Sequence, residues 1–399
     1  MKRIIFVDDE PQLLDGLRSR LRRNRKRWEM VFASGGEEGL EQIRSAPFDV
    51  VVSDMRMPGM DGATLLEHVK RESPRTARIV LSGYAKMEAA YRALPVAHQF
   101  LSKPCEAEII ENVIERACRL QDLLHDESIQ AAVGAIGELP CAPRIYSAVT
   151  EALGRANVDA EVVADLIRQD PSICARVLQV VNSAFFGLRQ TMTDVRDAVA
   201  YLGIFFVRNI VLSAELISSF KPSAASAGFE IDVLQRHCFA TASIAAHLVE
   251  EKDATSDAFT AGILHDLGLL VLATRAPERL SASIAMAKQQ RRPVHEVEKE
   301  LHGFTHAEVG AYLLGMWGLP YPIVEAIAHH HTPEKVAQRE FDVLSAVYVA
   351  DCLAHEQSPH AEDGDALQQS PLNLDYLERL GVAGRLPEWR EIARKQMAP

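Results

Sequence analysis

The stretch Val50-Val51-Val52-Ser53-Asp54-Met55-Arg56-Met57-Pro58-Gly59 decides how the first third of this chain is read. An apolar run stops at a carboxylate, and a turn-forming Pro-Gly pair follows. The pattern recurs on either side. Ile4-Ile5-Phe6-Val7 stops at Asp8-Asp9, Ile79-Val80-Leu81 stops at Ser82, and Phe100-Leu101 gives way to Ser102-Lys103-Pro104. Val31-Phe32-Ala33 is a fifth short run. Fully apolar runs suit strands covered on both faces. Leu13, Leu14, Leu17 and Leu21 are spaced for one helix face, and helical stretches near 36–45, 62–72 and 86–94 separate the later runs. Five strands alternating with helices predict a doubly wound α/β parallel sheet. Such sheets bind ligands beyond the carboxyl ends of their strands, where three carboxylates, a hydroxyl and an amine are expected to gather.

The chain has 399 residues, enough for two or three domains. With 48% hydrophobic and 25% charged residues it reads as globular. The formal net charge of -12 argues against a nucleic-acid-binding protein, whose binding domain is basic. One basic run, Arg18, Arg20, Arg22, Arg23, Arg25, Lys26 and Arg27, is either a solvated helix end or a docking patch for an acidic partner. Cys105, Cys118, Cys141, Cys174, Cys238 and Cys352 have no C-x-x-C spacing, so free cytosolic thiols are the simplest reading. The N-terminus runs straight into a strand without the apolar core of a signal peptide, and no membrane span is expected. The expected location is cytoplasmic.

Asp54 can act as a nucleophile toward a phosphoryl group. A divalent ion at Asp9, with Asp8 nearby, would neutralise the anionic transition state, and Mg²⁺ suits a few carboxylates and waters. Lys103 would add positive charge, and Ser82 could hydrogen-bond a phosphoryl oxygen. The segments Phe6-Val7-Asp8-Asp9-Glu10-Pro11, Asp54 to Gly62, Leu81-Ser82-Gly83-Tyr84 and Phe100 to Pro104 make residues 1–120 resemble a response-regulator receiver domain of flavodoxin-like fold. The resemblance implies that a histidine kinase or phosphotransfer protein phosphorylates Asp54. It implies Mg²⁺ at Asp8, Asp9, Asp54 and the backbone carbonyl of Arg56, and switch positions at Ser82 and Phe100.

Beyond Pro104 the periodicity turns helical. Residues 106–127 read as one connecting helix, with Ile110, Val113, Ala117, Leu120 and Leu124 at alternating spacings of three and four. Its first half is expected to pack on the sheet and its second half to extend as a signalling or dimer helix. From 128 to 355 no strand alternation is evident. The small and polar segment Lys221 to Gly228 divides this region into halves of 128–220 and 229–355. Residues 356–399 form an extension: a polar loop near 357–371, then helices near 373–380 and 387–396.

The second half carries His237, the pair His265-Asp266, His306, the run His329-His330-His331, and Asp351. An unpaired buried Asp beside a buried His is costly, and a metal would satisfy both. Imidazole with carboxylate suits Fe, Mn, Zn or Ni, though a hydrogen-bonded polar core is the plainer alternative. His237, His265, Asp266, His306, His330 (or its neighbours) and Asp351 resemble the ligand set of the HD phosphohydrolase superfamily. The catalytic HD-GYP branch, which hydrolyses cyclic di-GMP, has a Lys where this chain has Leu269, and a glycine-tyrosine-proline loop where it reads His331-Thr332-Pro333-Glu334-Lys335. Ile167 to Ser172, Val181 to Gly187, Ala198 to Gly203, Gly262 to Gly268, His306 to Ala311 and Trp317 to Pro320 are similar to the all-α HDOD domain, a relative usually regarded as non-catalytic. Asp170-Pro171 reads as a helix start, with Asp as cap.

These readings converge on a receiver controlling a helical output domain. The expected output is binding of a downstream signalling protein, in a homodimer, without DNA binding. The alternative is a phosphorylation-gated, metal-dependent phosphohydrolase acting on nucleotides or cyclic nucleotides.

Overall fold

The computed structural model describes residues 1–82, 96–103, 105–123, 126–134, 148–149, 151–152, 159–182, 188, 191–204, 207, 230–336, 340–357 and 371–397. The helix expected near 86–94, Pro104, Cys141, the turn at 183–187, the loop at 221–228 and the polar stretch 358–370 lie outside them, as do the side chains of Ser82 and Phe100. The chain divides into two compact units, one holding residues 1–137 and the other most of the remainder.

The first unit is the expected sheet. β1 (Lys2–Val7), β2 (Trp28–Ala33), β3 (Val50–Asp54), β4 (Ala77–Ser82) and β5 (Gln99–Ser102) pair in the order β2-β1-β3-β4-β5. All the pairings are parallel, with Ile4 opposite Val50 and Asp54 opposite Leu81. Ile4 to Val7 and Val50 to Val52 are buried, as strands covered on both faces must be. The helices α1 (Pro11–Arg20), α2 (Gly36–Ser45), α3 (Gly62–Glu72) and α4 (Ala107–Leu123) flank the sheet. α1 starts on Pro11 in its first turn and buries Leu14 and Leu17. In α3, the N-cap Asp61 accepts the backbone N–H of Thr64. A Cβ on Gly62 would lie 1.9 Å from the Asp54 carbonyl oxygen, so only glycine lets α3 begin against the end of β3.

The connecting helix differs from expectation. α4 stops at Leu123, and a separate helix, α5 (Glu127–Gly134), follows within the same unit. The buried face of α4 is Ile110, Ile114, Ala117, Cys118 and Gln121, so it packs on the sheet along its length. Gln121 near its end donates to the carbonyls of Asp49 and Arg75, and Gln130 of α5 donates to the carbonyl of Gln121. These bonds hold the second half on the first unit, where free extension was expected. α5 thus groups with the first unit. Part of the basic run serves the same packing. Arg23 forms a fork with Glu111 (2.9 and 2.7 Å), and Arg27 pairs with Glu115.

The second unit is helical throughout its described residues: α6 (Ala160–Ile167), α7 (Pro171–Val181), α8 (Val195–Leu202), α9 (Ile231–Leu248), α10 (Lys252–Leu264), α11 (Leu267–Arg275), α12 (Pro277–Gln290), α13 (Val294–His302), α14 (His306–Met316), α15 (Tyr321–His329), α16 (Val343–Gln357), α17 (Leu374–Arg379) and α18 (Leu386–Gln396). Asp170 caps α7 by accepting the N–H of Ile173, and its other oxygen accepts from Gln235 of α9. The core is α9, α10, α15 and α16. A Cβ on Gly262 would fall 2.6 Å from the Cα of Ala242, which shows how closely α10 approaches α9. Ala254–Arg275 is apolar and long enough by composition to cross a membrane, where no such run was expected. In its apolar 18-residue window 89% is buried inside the fold, and it carries His265-Asp266 at its centre, so it is a core segment.

The two C-terminal helices form where expected and close the back of this core. Trp389 of α18 is fully buried with its ring 4.9 Å from that of Phe341, and Tyr376 of α17 shares a hydrogen bond with Ser345. Truncating Trp389 removes a large buried ring from a site that cannot collapse fully. Trp389→Ala is expected to destabilise the second unit by about 3–5 kcal/mol, read as an earlier urea transition of the full chain.

Candidate phosphoacceptor and metal centres

The first centre lies where the strand order turns about β1 and β3. Asp8 follows β1, Asp54 ends β3 and Lys103 follows β5. The Lys103 ammonium lies 2.6 Å from Asp8 Oδ2 and also bonds Asp54 Oδ1. Asp54 Oδ2 accepts the backbone N–H of Arg56 at 2.5 Å, and Asp8 Oδ1 accepts that of Glu10 at 2.9 Å. Asp8 and Asp54 are buried, and Asp9 beside them is half-buried. Burial pulls the Lys103 ammonium down, but its bonds to Asp54 and Asp8 outweigh this and hold its pKa above the ordinary value. Two buried carboxylates thus converge on one cation. Their hard oxygen donors also fit a Mg²⁺ ion.

The second centre is built from helix ends and from the faces of two helices. His237 lies on α9, His265 and Asp266 link α10 to α11, His306 opens α14, His330 and His331 follow α15, and Asp351 lies on α16. All of the residues expected there meet. Asp266 Oδ1 faces His306 Nε2 at 3.2 Å and His330 Nε2 at 3.6 Å, and Asp266 Oδ2 faces His265 Nε2 at 3.3 Å. His237 Nε2 lies 2.9 Å from Asp351 Oδ1. The donors fall into two clusters, Asp266–His306–His330–His331 and His237–His265–Asp351, each with ligand atoms within 4.8 Å of one another.

The second nitrogen of each key ring is tied outward. His265 Nδ1 bonds the Gly262 carbonyl at 2.7 Å, His330 Nδ1 that of Ile327 at 2.8 Å, and His306 Nδ1 the Glu298 carboxylate at 2.7 Å. In a neutral ring this places the proton on Nδ1 and a lone pair on Nε2. The lone pairs then point at carboxylate oxygens. His265 Nε2, His330 Nε2 and Asp266 Oδ1 are buried without a hydrogen-bond partner. Only a proton or a metal reconciles such an array. With protein groups alone, burial lowers the His265 and His306 pKa values, but Asp266 for the former and Glu298 for the latter drive them up, to about 9 and about 10. Asp266 and Asp351 are resisted by burial, yet the facing histidines hold both well below the carboxylate range. Imidazoles oriented by outer carbonyls and a carboxylate are the arrangement a bound divalent transition metal takes.

Glu298, His295 and His355 join the site without having been expected there, and of the run His329-His330-His331 both His330 and His331 belong to it. His331 points inward beside His330, 2.9 Å from His306 Nε2, and His295 stacks on its outer face. His355, one turn after Asp351, packs its ring 4.3 Å from that of His237. The buried stripe Val294, Val297 and Glu298 on α13 is the sequence signal for Glu298, an acid on an apolar helix face. Leu269, where the catalytic branch has Lys, is buried in the core. Beside the cluster a cavity of about 780 Å³ is lined by His295, His331, Arg292, Lys299, Lys335 and Tyr348, among others. Gly268 sets the approach of α11 to α14, since a Cβ there would lie 1.9 Å from the His306 carbonyl oxygen. Gly268→Ala is expected to cost about 2 kcal/mol or more by overpacking, seen as an earlier thermal transition.

A parallel sheet with this acid–lysine centre, followed by a helical unit with a His–Asp core, defines a response regulator with an HD-like output domain. Two family descriptions match the chain: "Response regulator receiver domain" over residues 4–115 and "HDOD domain" over residues 139–333. The chain belongs to the response regulators that join these two domains. It is similar to the crystal structure titled MmoQ response regulator from Methylococcus capsulatus, with a TM-score of 0.51 and 26% identity over 66% of this chain and 98% of that one. An uncharacterized protein of Treponema pallidum is 26% identical over 54% of this chain and 42% of its own length. The transcriptional regulatory protein YesN of Bacillus subtilis is 36% identical over 30% of this chain and 34% of its own length. ZraR of Escherichia coli K12 is 28% identical over 45% of this chain and 44% of its own length. The chain thus spans less than half the length of these curated relatives.

Proposed function

We propose that this chain is a phosphorylation-controlled switch in a two-component phosphorelay. A histidine kinase or phosphotransfer protein transfers a phosphoryl group to Asp54, and the HDOD unit passes the signal on by binding a protein partner. The observation that carries this is the convergence of Asp8 and Asp54 on Lys103 at the carboxyl ends of the strands. Asp8, Asp9, Asp54 and the Arg56 carbonyl would hold Mg²⁺, which would supply positive charge against the incoming phosphoryl group. Lys103 steadies the Asp54 carboxylate and then the phosphorylated product. Ser82 and Phe100 are the positions that reorient, which biases a two-state equilibrium of the receiver. Intact-mass measurement after incubation with acetyl phosphate and Mg²⁺ tests the phosphoacceptor. Light scattering of both forms tests whether a homodimer depends on it.

A second reading rests on the His–Asp centre, whose lone pairs converge as metal ligands do. In that reading His237, His265, Asp266, His306, His330 and Asp351 hold Fe, Mn or Zn, and the output unit hydrolyses a nucleotide phosphoester. The apolar Leu269 favours binding without turnover, since no cation stands there to hold a phosphate.

A further inference from the structure

Away from both centres, Arg78 at the amino end of β4 is a buried and heavily hydrogen-bonded side chain. It is 1% exposed. Its Nε donates to the carbonyl of Val96 at 2.5 Å, and its Nη1 to those of Thr76 at 3.2 Å and Pro74 at 3.3 Å. Nη2 donates to the carbonyl of Gly134 at 2.6 Å and lies 2.7 Å from His98 Nε2. His98, just before β5, also accepts the Arg78 backbone N–H at 3.1 Å, and its own N–H returns to the Arg78 carbonyl at 2.7 Å. The planar guanidinium fork suits this convergence of several oxygens from different segments.

Gly134 is the last described residue of α5, and its carbonyl accepts the buried Arg78 guanidinium. Hydrogen bonds from a charged donor are the stronger ones. The fit is close: a Cβ on Gly134 would lie 1.8 Å from the Pro74 carbonyl oxygen. A second layer fastens the same helix. Arg75 Nε donates to Gln130 Oε1 at 3.1 Å, and Arg75 pairs with Glu127 at 3.0 Å. α5 lies between the two family matches, on the path from receiver to HDOD domain.

β4 and β5 therefore serve two sites. Their carboxyl ends lead to Ser82 and Lys103, and their amino ends meet Arg78 and His98. They are paired in register from Ile79–Gln99 to Ser82–Ser102. We propose that Arg78 is the output latch of the receiver: its guanidinium holds segment 127–134 against β4 and the approach to β5, and phosphorylation at the far end of these strands releases it. The inference rests on the reading of Asp54 as phosphoacceptor. A phosphoryl group there draws Ser82 and Lys103 toward itself and tilts the strand pair. Hydrogen bonds weaken steeply with distance and angle, so a small displacement at Arg78 strains several at once. By linkage, whatever loosens the latch also shifts the equilibrium for phosphorylation.

The test uses the full chain, with acetyl phosphate and Mg²⁺ as the probe, and reads hydrogen exchange of peptides covering 127–134. Exchange there is expected to quicken about fivefold or more on phosphorylation. In Gly134→Ala it is expected to be fast in both forms, with peptides of β4 still protected and Asp54 still phosphorylated. Arg78→Met is expected to match it, and Arg78→Lys to restore only part of the protection. Equal protection of 127–134 in both forms of the native chain, with intact mass showing Asp54 phosphorylated, overturns the latch alone. Absence of the phosphoryl group overturns the reading beneath it as well. A protected Gly134→Ala helix would show that the close approach at Pro74 does not hold the segment.

Discussion

Incubated with acetyl phosphate and Mg²⁺, the full chain gains the mass of one phosphoryl group, and Asp54→Asn gains none; this is the expected result of the acid–lysine geometry. Asp54 has one carboxylate oxygen on the Arg56 backbone N–H and the other on Lys103. Asn keeps the shape but replaces the nucleophilic oxygen by an amide. Lys103→Met should phosphorylate about a hundredfold more slowly, the scale on which losing one preorganised donor to a developing charge acts. The sign follows from burial, because without Lys103 the neighbouring Asp8 and Asp54 repel each other and Mg²⁺ alone must offset both. Phosphorylation of Asp54→Asn at the native rate would move the acceptor elsewhere and remove the basis of the switch.

The sheet was legible because parallel strands covered on both faces must be apolar from end to end, and the polar groups that stop them are the site. The end of α4 was not legible. The heptad-like spacing of Val113, Leu120 and Leu124 suggested an extended helix, but Gln121 and Gln130 tie α4 and α5 to the first unit through backbone carbonyls that no spacing rule locates. Arg78 was hidden for the same reason. It donates to the carbonyls of residues 74, 76, 96 and 134, and a carbonyl leaves no trace in residue type. In the basic run, Arg23 and Arg27 brace α4, which places two of its cations in the fold. The histidine centre was legible by residue type and incomplete by geometry. Adjacent residues on a regular helix point about 100° apart, so only one of His330 and His331 should face inward. α15 ends at His329, and the freed backbone lets both rings reach Asp266 and Asp351.

Asp266→Ala is expected to strip transition metal from the purified chain, which in native form should carry at least one equivalent of Fe, Mn or Zn by elemental analysis. Asp266 is the pivotal ligand because its two oxygens face different clusters, His306 and His330 on one side and His265 on the other. Its loss removes the one carboxylate of the first set and the oxygen facing His265 of the second, whereas Glu298→Gln only loosens the orientation of His306 and should weaken metal binding about 10–100-fold. Bound metal stabilises the native state by mass action, about 2.7 kcal/mol at a hundred times its Kd, so chelation should lower the thermal transition of the native chain and leave that of Asp266→Ala unmoved. The same preparations separate the two output readings. Metal without hydrolysis of nucleotides or cyclic dinucleotides makes the centre a structural pin between α9, α11, α14 and α16 in a binding module. Turnover that vanishes with Asp266→Ala makes it an active site and sinks the reading as a binding module alone. A native chain that carries no metal, and gains no stability when Fe, Mn or Zn is added, leaves only protons to reconcile the buried lone pairs. It would then fall to His265 and His306, held charged by their carboxylates, to keep the core together.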